Sequence, residues 1–321
     1  MSPDTVPISR RHPEATLMGN HPIVAVIIPT RNRKDILLRT LESVLRQSVP
    51  HEVHVLDDAS EDGTAQVVRD IFPQVHVHRE EHPHGPTFQR NKGVALSSAP
   101  YLFTLDDDCI MPHDDLCREV LAEFSHPRIG AVTIPFVNID EVGCVRSAAP
   151  GPGILATFDY WGGMIAFRRD VYLSAGGYRS ELFMAGEEQD LAVRILDRGY
   201  VIRLGSATPL THHRSPIRNT TRVQTLTMRN LVLYSWFNVP MPYLCGHLPV
   251  TVLNGLRWGL SNRLPLLTVR GLIRGFLDIV RLRHVRKPVS RQVYRLSRRL
   301  RTRGVMSLEE MQSQLPAISE P

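Results

Sequence analysis

Three consecutive carboxylates, Asp106-Asp107-Asp108, follow the apolar run Tyr101 to Leu105. Side by side, such groups repel one another and are costly to take out of water. A loop N-cap would account for one of them at most, whereas a divalent cation relieves the repulsion. Oxygen ligands of this kind suit Mg2+ or Mn2+, ions usually held by one or two carboxylates together with substrate phosphates. The site then calls for a diphosphate. A second acidic group, Glu187-Glu188-Gln189-Asp190, opens a predicted helix. The helix dipole explains one acid there, but three acids within four positions exceed that need. A carboxylate at this place could act as general base on an acceptor hydroxyl. Thr211-His212-His213 follows a short apolar run. A neutral imidazole could complete the coordination of the same metal, and either His212 or His213 satisfies that reading.

These groups need elements to bring them together. Ile23 to Pro29 is a β-branched apolar run that reads as a buried parallel strand. The loop Thr30-Arg31-Asn32-Arg33 follows, and then a helix over Asp35 to Arg46 with apolar residues at Ile36, Leu37, Leu41, Val44 and Leu45. Glu52 to Leu56 is a second strand, leading into the turn-and-cap segment 57–64 and a helix through Ile71. Val75 to His78, Tyr101 to Leu105 and Ile129 to Phe136 are further strands, with helices over Thr87 to Leu96 and Asp114 to Phe124. Alternation of this kind predicts a mostly parallel sheet with right-handed crossovers, and ligands bind beyond the carboxyl ends of such strands. The polar clusters at 30–33, 57–64 and 106–108 all fall there. Asp57 and Asp58 could accept hydrogen bonds from a nucleobase imide or from ribose hydroxyls, and Arg90 and Lys92 could reach a base or a diphosphate. No G-x-G-x-x-G follows the first strand and no G-x-x-x-x-G-K-[ST] occurs, which disfavours a dinucleotide-binding or P-loop domain.

The second half is less regular, with a strand over Gly162 to Phe167, a turn at 175–178, a helix over Glu187 to Arg198 and a strand over Val201 to Leu204. Residues 231–256 carry no charge but include Pro240, Pro242 and Pro249. They read as an apolar hairpin or interfacial segment rather than a membrane span. Between Arg281 and Arg303 ten of 23 residues are Lys or Arg and none is acidic, fitting either a solvated helix face or attraction to an anionic membrane surface. No nucleic-acid-binding motif accompanies the charge.

With 321 residues, 42% hydrophobic and 22% charged, the chain can bury a core and hold one large α/β domain plus an appendage. A net charge of +6 permits a phosphate-bearing partner without choosing one. The four cysteines form no C-x-x-C pair, which argues against a zinc site and a disulfide framework and for a reducing compartment. Residues 1–20 are polar, contain Pro3, Pro7 and Pro13, and lack a signal-peptide core.

In their order and spacing, I-I-P-T-R-N-R (27–33), L-D-D-A-S-E-D-G-T (56–64), Q-R-N-K-G (89–93), L-D-D-D (105–108), A-G-G-Y (175–178) and G-E-E-Q-D-L (186–191) resemble family 2 glycosyltransferases with the type A fold, over about residues 23–216. The resemblance implies an α/β domain with a Rossmann-like, mostly parallel sheet. A division follows: a flexible tail at 1–20, a catalytic domain at 21–220 (nucleotide half 21–110, acceptor half 111–220), and a helical, apolar and basic extension at 221–321.

By that resemblance Pro29, Thr30 and Arg31, with Arg33, line the nucleotide pocket. Asp57 or Asp58 contacts the base, helped by Arg90 and Lys92. Asp106 lies near the ribose and Asp108 on the metal, with Asp107 supporting them. Glu188 is the first choice of base, then Glu187, then Asp190. His212 or His213 matches a late histidine of the metal site. The family commonly has aspartate where this chain has Glu188, which leaves the identity of the base open.

The implied reaction is inverting single displacement, dependent on Mn2+ or Mg2+. A UDP-, dTDP- or GDP-sugar donates to a hydroxyl of a glycan or lipid-linked acceptor, on the cytoplasmic side, either free or peripheral on the inner face of the membrane, with no nucleic-acid partner. A sugar-nucleotide nucleotidyltransferase would want a glycine-rich basic loop where Thr30-Arg31-Asn32-Arg33 stands. A non-catalytic nucleotide-sugar-binding protein would not need acids at both 106–108 and 186–190.

Overall fold

A computed structural model describes residues 21–141, 143–214 and 220–318; the tail expected at 1–20 lies outside them. The first half runs β1 (Val24–Thr30), α1 (Lys34–Val44), β2 (His51–Asp57), α2 (Thr64–Ile71), β3 (His76–Arg79), α3 (Pro86–Leu96), β4 (Tyr101–Leu105), β5 (Cys109–Ile110) and α4 (Leu116–Ala122). There follow β6 (Ile129–Thr133), β7 (Phe136–Asn138), β8 (Val145–Arg146), β9 (Leu155–Thr157), β10 (Met164–Arg168), α5 (Arg169–Ser174), α6 (Glu187–Asp197), β11 (Val201–Arg203) and β12 (Leu210–His212). The chain ends with α7 (Thr220–Asn238), α8 (Leu244–Ser261), α9 (Pro265–Arg281), α10 (Arg291–Arg303), β13 (Val305–Ser307) and α11 (Leu308–Gln312).

Among the described residues, nine strands form one sheet in the order β13-β9-β11-β6-β10-β4-β1-β2-β3. The run β4-β1-β2-β3 is parallel, whereas β10 is antiparallel to both β4 and β6. Val24 to Ile28 are wholly inaccessible to solvent. Helices on both faces make β1 a continuous apolar run instead of an alternating one. The α/β architecture expected from the sequence is therefore present.

Two features differ from expectation. The strand read over Ile129 to Phe136 is two strands in two sheets: β6 joins the large sheet, and β7 joins the small sheet β5-β12-β7-β8. Pro135 stands between them and has no N–H to continue the ladder. Its carbonyl instead accepts the Leu210 N–H at 3.0 Å, bringing β12 alongside β7. The C-terminal region also returns to the sheet, because β13 pairs antiparallel with β9 at its edge.

The uncharged stretch 231–256 is a helical hairpin. It comprises the end of α7, a break at Pro240 and Pro242, and most of α8. Val232, Leu233, Tyr234 and Phe237 of α7 are buried. Helix α9 lies close against α7, since a Cβ at Gly271 would meet the Thr225 carbonyl and one at Gly275 the Arg229 carbonyl and Val232. Among the described residues no helix is long and apolar enough to cross a membrane.

Candidate active site

The carboxyl ends of β1, β2 and β4 open onto one cavity of about 650 Å3. From β1 and the loop after it come Pro29, Thr30, Arg31 and Arg33; the segment after β2 supplies Asp58, and the segment after β4 supplies Asp106, Asp107 and Asp108. Helix α3 adds Gln89 and Arg90, the start of α6 adds Glu187 and Glu188, and β12 adds His212.

The three aspartates do different things. Asp107 is turned into the protein: its carboxylate accepts from Thr30 Oγ1 at 2.7 Å and pairs with Arg33 at 2.8 Å, and its carbonyl accepts from Thr40 Oγ1 at 2.9 Å. Burial pushes its carboxyl up to about 7, against the pull of Arg33 and Thr30. Asp106 is more open and receives Arg90 Nη2 at 2.9 Å. Its backbone N–H donates to the Gly163 carbonyl at 2.9 Å, and a Cβ at Gly163 would fall on the Asp106 carboxylate. Only glycine leaves room for this approach.

Asp108 binds Arg33 Nη2 at 2.6 Å through Oδ2, while its buried Oδ1 has no hydrogen-bond partner and lies 3.4 Å from His212 Nε2. Strand β5, only two residues long, pairs with β12 and sets Cys109 opposite His212. The imidazole Nδ1 lies 2.7 Å from Asn138 Oδ1. An amide oxygen accepts, so Nδ1 carries the proton and Nε2 of the neutral ring turns its lone pair toward Asp108. Ligand atoms of Asp108, His212 and Cys109 lie within 4.8 Å of one another, a grouping able to hold an ion. Burial keeps the Cys109 thiol well above its ordinary range, so the carboxylate and the imidazole are the better donors. An orphaned carboxylate oxygen facing an imidazole lone pair fits a divalent cation.

On the far wall, Gly186 caps the start of α6 after a loop with positive φ at Phe183 (63°) and Ala185 (68°). Non-glycine residues reach that region only when their surroundings hold them there. Asn230 of α7 does so, its amide donating to the carbonyls of Leu182, Met184 and Ala185 at 2.8 to 2.9 Å. Glu187 is buried, 3.7 Å from Arg90 Nη1, and burial together with Glu188 raises its carboxyl. Arg90, raised by Asp106 in spite of its own burial, thus bridges the acids of β4 and α6. Glu188 is half-buried and faces the cavity.

Four residues expected at the site stand off the cavity. Asp190 is wholly buried, ion-paired with Arg179 and with Arg194 at 2.6 Å, and bonded to Asn238 Nδ2 at 2.7 Å. Those partners occupy its oxygens, and the arginines hold its carboxyl low in spite of burial. Lys92 lies two positions past Arg90, on another side of α3, and binds Glu80 at 2.5 Å. Asp57 is fully buried and accepts the Ser60 N–H at 2.8 Å, a turn contact. Its neighbour Asp58 lines the cavity but already accepts from His84 N, Gly85 N and Gln89 Nε2 at 2.7 to 3.0 Å. His213 follows His212 with the opposite strand parity, and only its backbone N–H reaches Asp108, at 2.8 Å to the carbonyl.

Trp161, Arg222 and Val223 line the cavity and Asn138 orients His212, none of which the motifs indicated; Gln89, which also lines it, stood in the motif at 89–93 without an assigned role. The pair Gly162-Gly163 before β10 was the available signal: a Cβ at Gly162 would press on the Arg90 guanidinium at 2.8 Å.

Residues 25–173 match the family model described as Glycosyl transferase family 2. The chain is 29% identical over 199 residues to the succinoglycan biosynthesis protein ExoU of Rhizobium meliloti, covering 55% of this chain and 57% of that protein. It is 35% identical over 103 residues to the putative teichuronic acid biosynthesis glycosyltransferase TuaG of Bacillus subtilis, covering 31% of this chain and 41% of that protein. The chain thus spans about half the length of these curated relatives. In fold it is similar to mannosyltransferase PcManGT from Pyrobaculum calidifontis, solved with GDP-Man and Mn2+, at a TM-score of 0.56 and 18% identity over 80% of this chain and 88% of that one. It is also similar to residues 1–349 of TarS from S. aureus in complex with UDP, at a TM-score of 0.55 and 18% identity over 74% and 73% of the two chains.

Proposed function

From the membership of residues 25–173 in family 2 of the glycosyltransferases, we propose that the chain moves a sugar from a nucleotide diphosphate-sugar to an acceptor hydroxyl with inversion at the anomeric carbon. One observation carries this reading. Asp106 and Asp108 after β4, Glu187 and Glu188 on α6, and His212 on β12 are far apart in the chain and meet in one cavity.

Asp108 and His212 hold a divalent cation, Mn2+ or Mg2+, which when bound neutralises charge on the departing diphosphate. Asp106 receives the ribose. Pro29, Thr30 and Arg31 line the nucleotide, with Asp58 and the Arg90 guanidinium on the base side. Arg33, itself paired with Asp107, engages the other oxygen of the Asp108 carboxylate and leaves Oδ1 free beside His212.

Glu188 is the base. Glu187 is buried beside Arg90 and its carboxyl is raised, whereas Glu188 faces the space an acceptor enters. It takes the proton of the acceptor hydroxyl, whose oxygen attacks the anomeric carbon from the face opposite the nucleotide. The C–O bond to the diphosphate breaks as the new one forms. Relatives named for succinoglycan and teichuronic acid biosynthesis support an acceptor in an envelope or exported glycan. Solved neighbours holding GDP-Man and UDP support a donor of the GDP or UDP type, with dTDP a third arm of the test. The proposed location is the cytoplasmic side of the cell membrane, supported by the apolar residues exposed on α9.

The experiment is a mass-spectrometric screen of UDP-, dTDP- and GDP-sugars with Mn2+ or Mg2+, run on wild type and Asp108→Ala. Consumption of one donor by wild type alone supports the reading. No consumption of any donor, or equal consumption by the variant, sinks it.

A further inference from the structure

A second cavity of about 620 Å3 lies between α7 and α9. Five arginines line it: Arg222 and Arg229 from α7, and Arg270, Arg274 and Arg281 from α9. The acids there are Glu181 and Asp278. Asp278 binds Arg229 at 2.6 Å and lies 3.8 Å from Arg281. Among the described residues Arg270 and Arg274 have no carboxylate within 4.0 Å, and both are exposed. A concave surface with this excess of guanidinium groups suits phosphate oxygens, which accept paired N–H donors in that geometry.

Two further facts narrow the ligand. Arg222 lines both this groove and the catalytic cavity, so the two spaces adjoin. Beside the groove, α9 exposes Leu266, Val269, Ile273, Phe276, Leu277 and Val280, with Leu266 85% and Leu277 64% accessible. At about 100° per residue these six fall within one arc of about 100°, turned away from the face that Thr268, Gly271, Leu272 and Gly275 bury. Arg270, Arg274 and Arg281 run along one flank of the stripe. From Leu244 to Arg281 the charged residues are five arginines and Asp278. An apolar stripe edged by arginine is the pattern of a helix that lies in a lipid interface.

We propose that the groove is the acceptor's phosphate site. It holds the phosphate or diphosphate of a lipid-borne acceptor, whose hydrocarbon chain lies along the α9 stripe and whose glycan end enters the catalytic cavity past Arg222. This rests on the glycosyltransferase reading and adds the class of acceptor to it. Bilayer headgroups alone would meet the stripe, but they would not require a groove adjoining the cavity.

The test uses the full chain and neutral phosphatidylcholine vesicles doped with a long-chain alkyl phosphate, with the matching alkanol, or with phosphatidylglycerol at equal charge. Co-sedimentation should favour the alkyl phosphate over both others by about tenfold or more. Arg270→Ala/Arg274→Ala should erase that preference. Leu266→Glu/Leu277→Glu should weaken vesicle binding while leaving the affinity for inorganic pyrophosphate unchanged. Equal binding to phosphatidylglycerol, a preference kept by the arginine variant, or an affinity for inorganic pyrophosphate that the alkyl chain does not improve would each overturn the proposal. Sedimentation needs no turnover. The donor screen can therefore fail with the groove standing, and the groove can fail with the donor screen standing.

Discussion

Strand β1 and helix α9 are both rich in large apolar side chains and use them in opposite ways. Val24 to Ile28 lose all contact with solvent and carry polar residues only at the end that opens on the cavity. Helix α9 buries Thr268, two glycines and Leu272, and turns its larger apolar side chains outward. In the sheet, burial builds the platform that brings the polar groups to the cavity. On α9 the same residue types are spent on whatever lies outside the protein. Composition cannot separate these uses; the partner each face meets can.

Glu188→Gln should break the platform's chemistry without touching its packing. Product formation is expected to fall about 10²- to 10⁴-fold with an unchanged melting temperature, and a parallel loss of folding would refute that separation. Asp190→Ala, two positions along, should do the reverse in kind. It leaves Arg179 and Arg194 facing each other in the core, and urea denaturation should show a loss of about 3–5 kcal/mol. Gly163→Ala sits between these extremes. The added methyl meets Asp106, so about 1–3 kcal/mol of strain should appear together with a raised donor KM; an unaltered KM would mean that Asp106 is not held by this contact. Leu277→Glu on α9 should change stability by no more than about 0.5 kcal/mol. A large loss would show that the stripe belongs to the core after all.

A smaller effect comes from His247, in the helical layer, whose Nδ1 lies 2.9 Å from the Tyr294 hydroxyl. Burial, aided by Arg298 and Arg301, lowers its folded pKa from 6.5 to about 4. The unfolded chain therefore takes up the proton first as pH falls, and stability present above pH 6.5 is lost between there and about pH 4. The melting temperature of His247→Gln should fall less over that window than that of wild type.

Much of the sheet was legible because each strand of its first half is an apolar run closed by turn chemistry: Thr30 to Arg33, Asp57 to Thr64, Asp106 to Asp108. Such signals are local. The division of β6 from β7 at Pro135 depended on which sheet each half would join, and the return of β13 to β9 on a pairing across some 150 residues. The site was legible by cluster and blurred by residue. Glu188 and Asp190, Arg90 and Lys92, and His212 and His213 are each near neighbours of similar chemistry. Which of each pair faces the cavity follows from the phase of the helix or strand, and that phase is set by packing against elements elsewhere in the chain.

Asp190 has a mechanical consequence beyond its place in the core. Its carboxylate joins Arg179 before α6, Arg194 on α6 and Asn238 at the end of α7. That joint acts as a cross-brace one half-turn from Glu188. The helix carrying the proposed base cannot slide along its axis without dismantling it, so the placement of Glu188 depends on a buried residue that does not line the cavity. Because the brace ends on α7, against which α9 is packed, a continuous line of contacts joins the outer layer to α6.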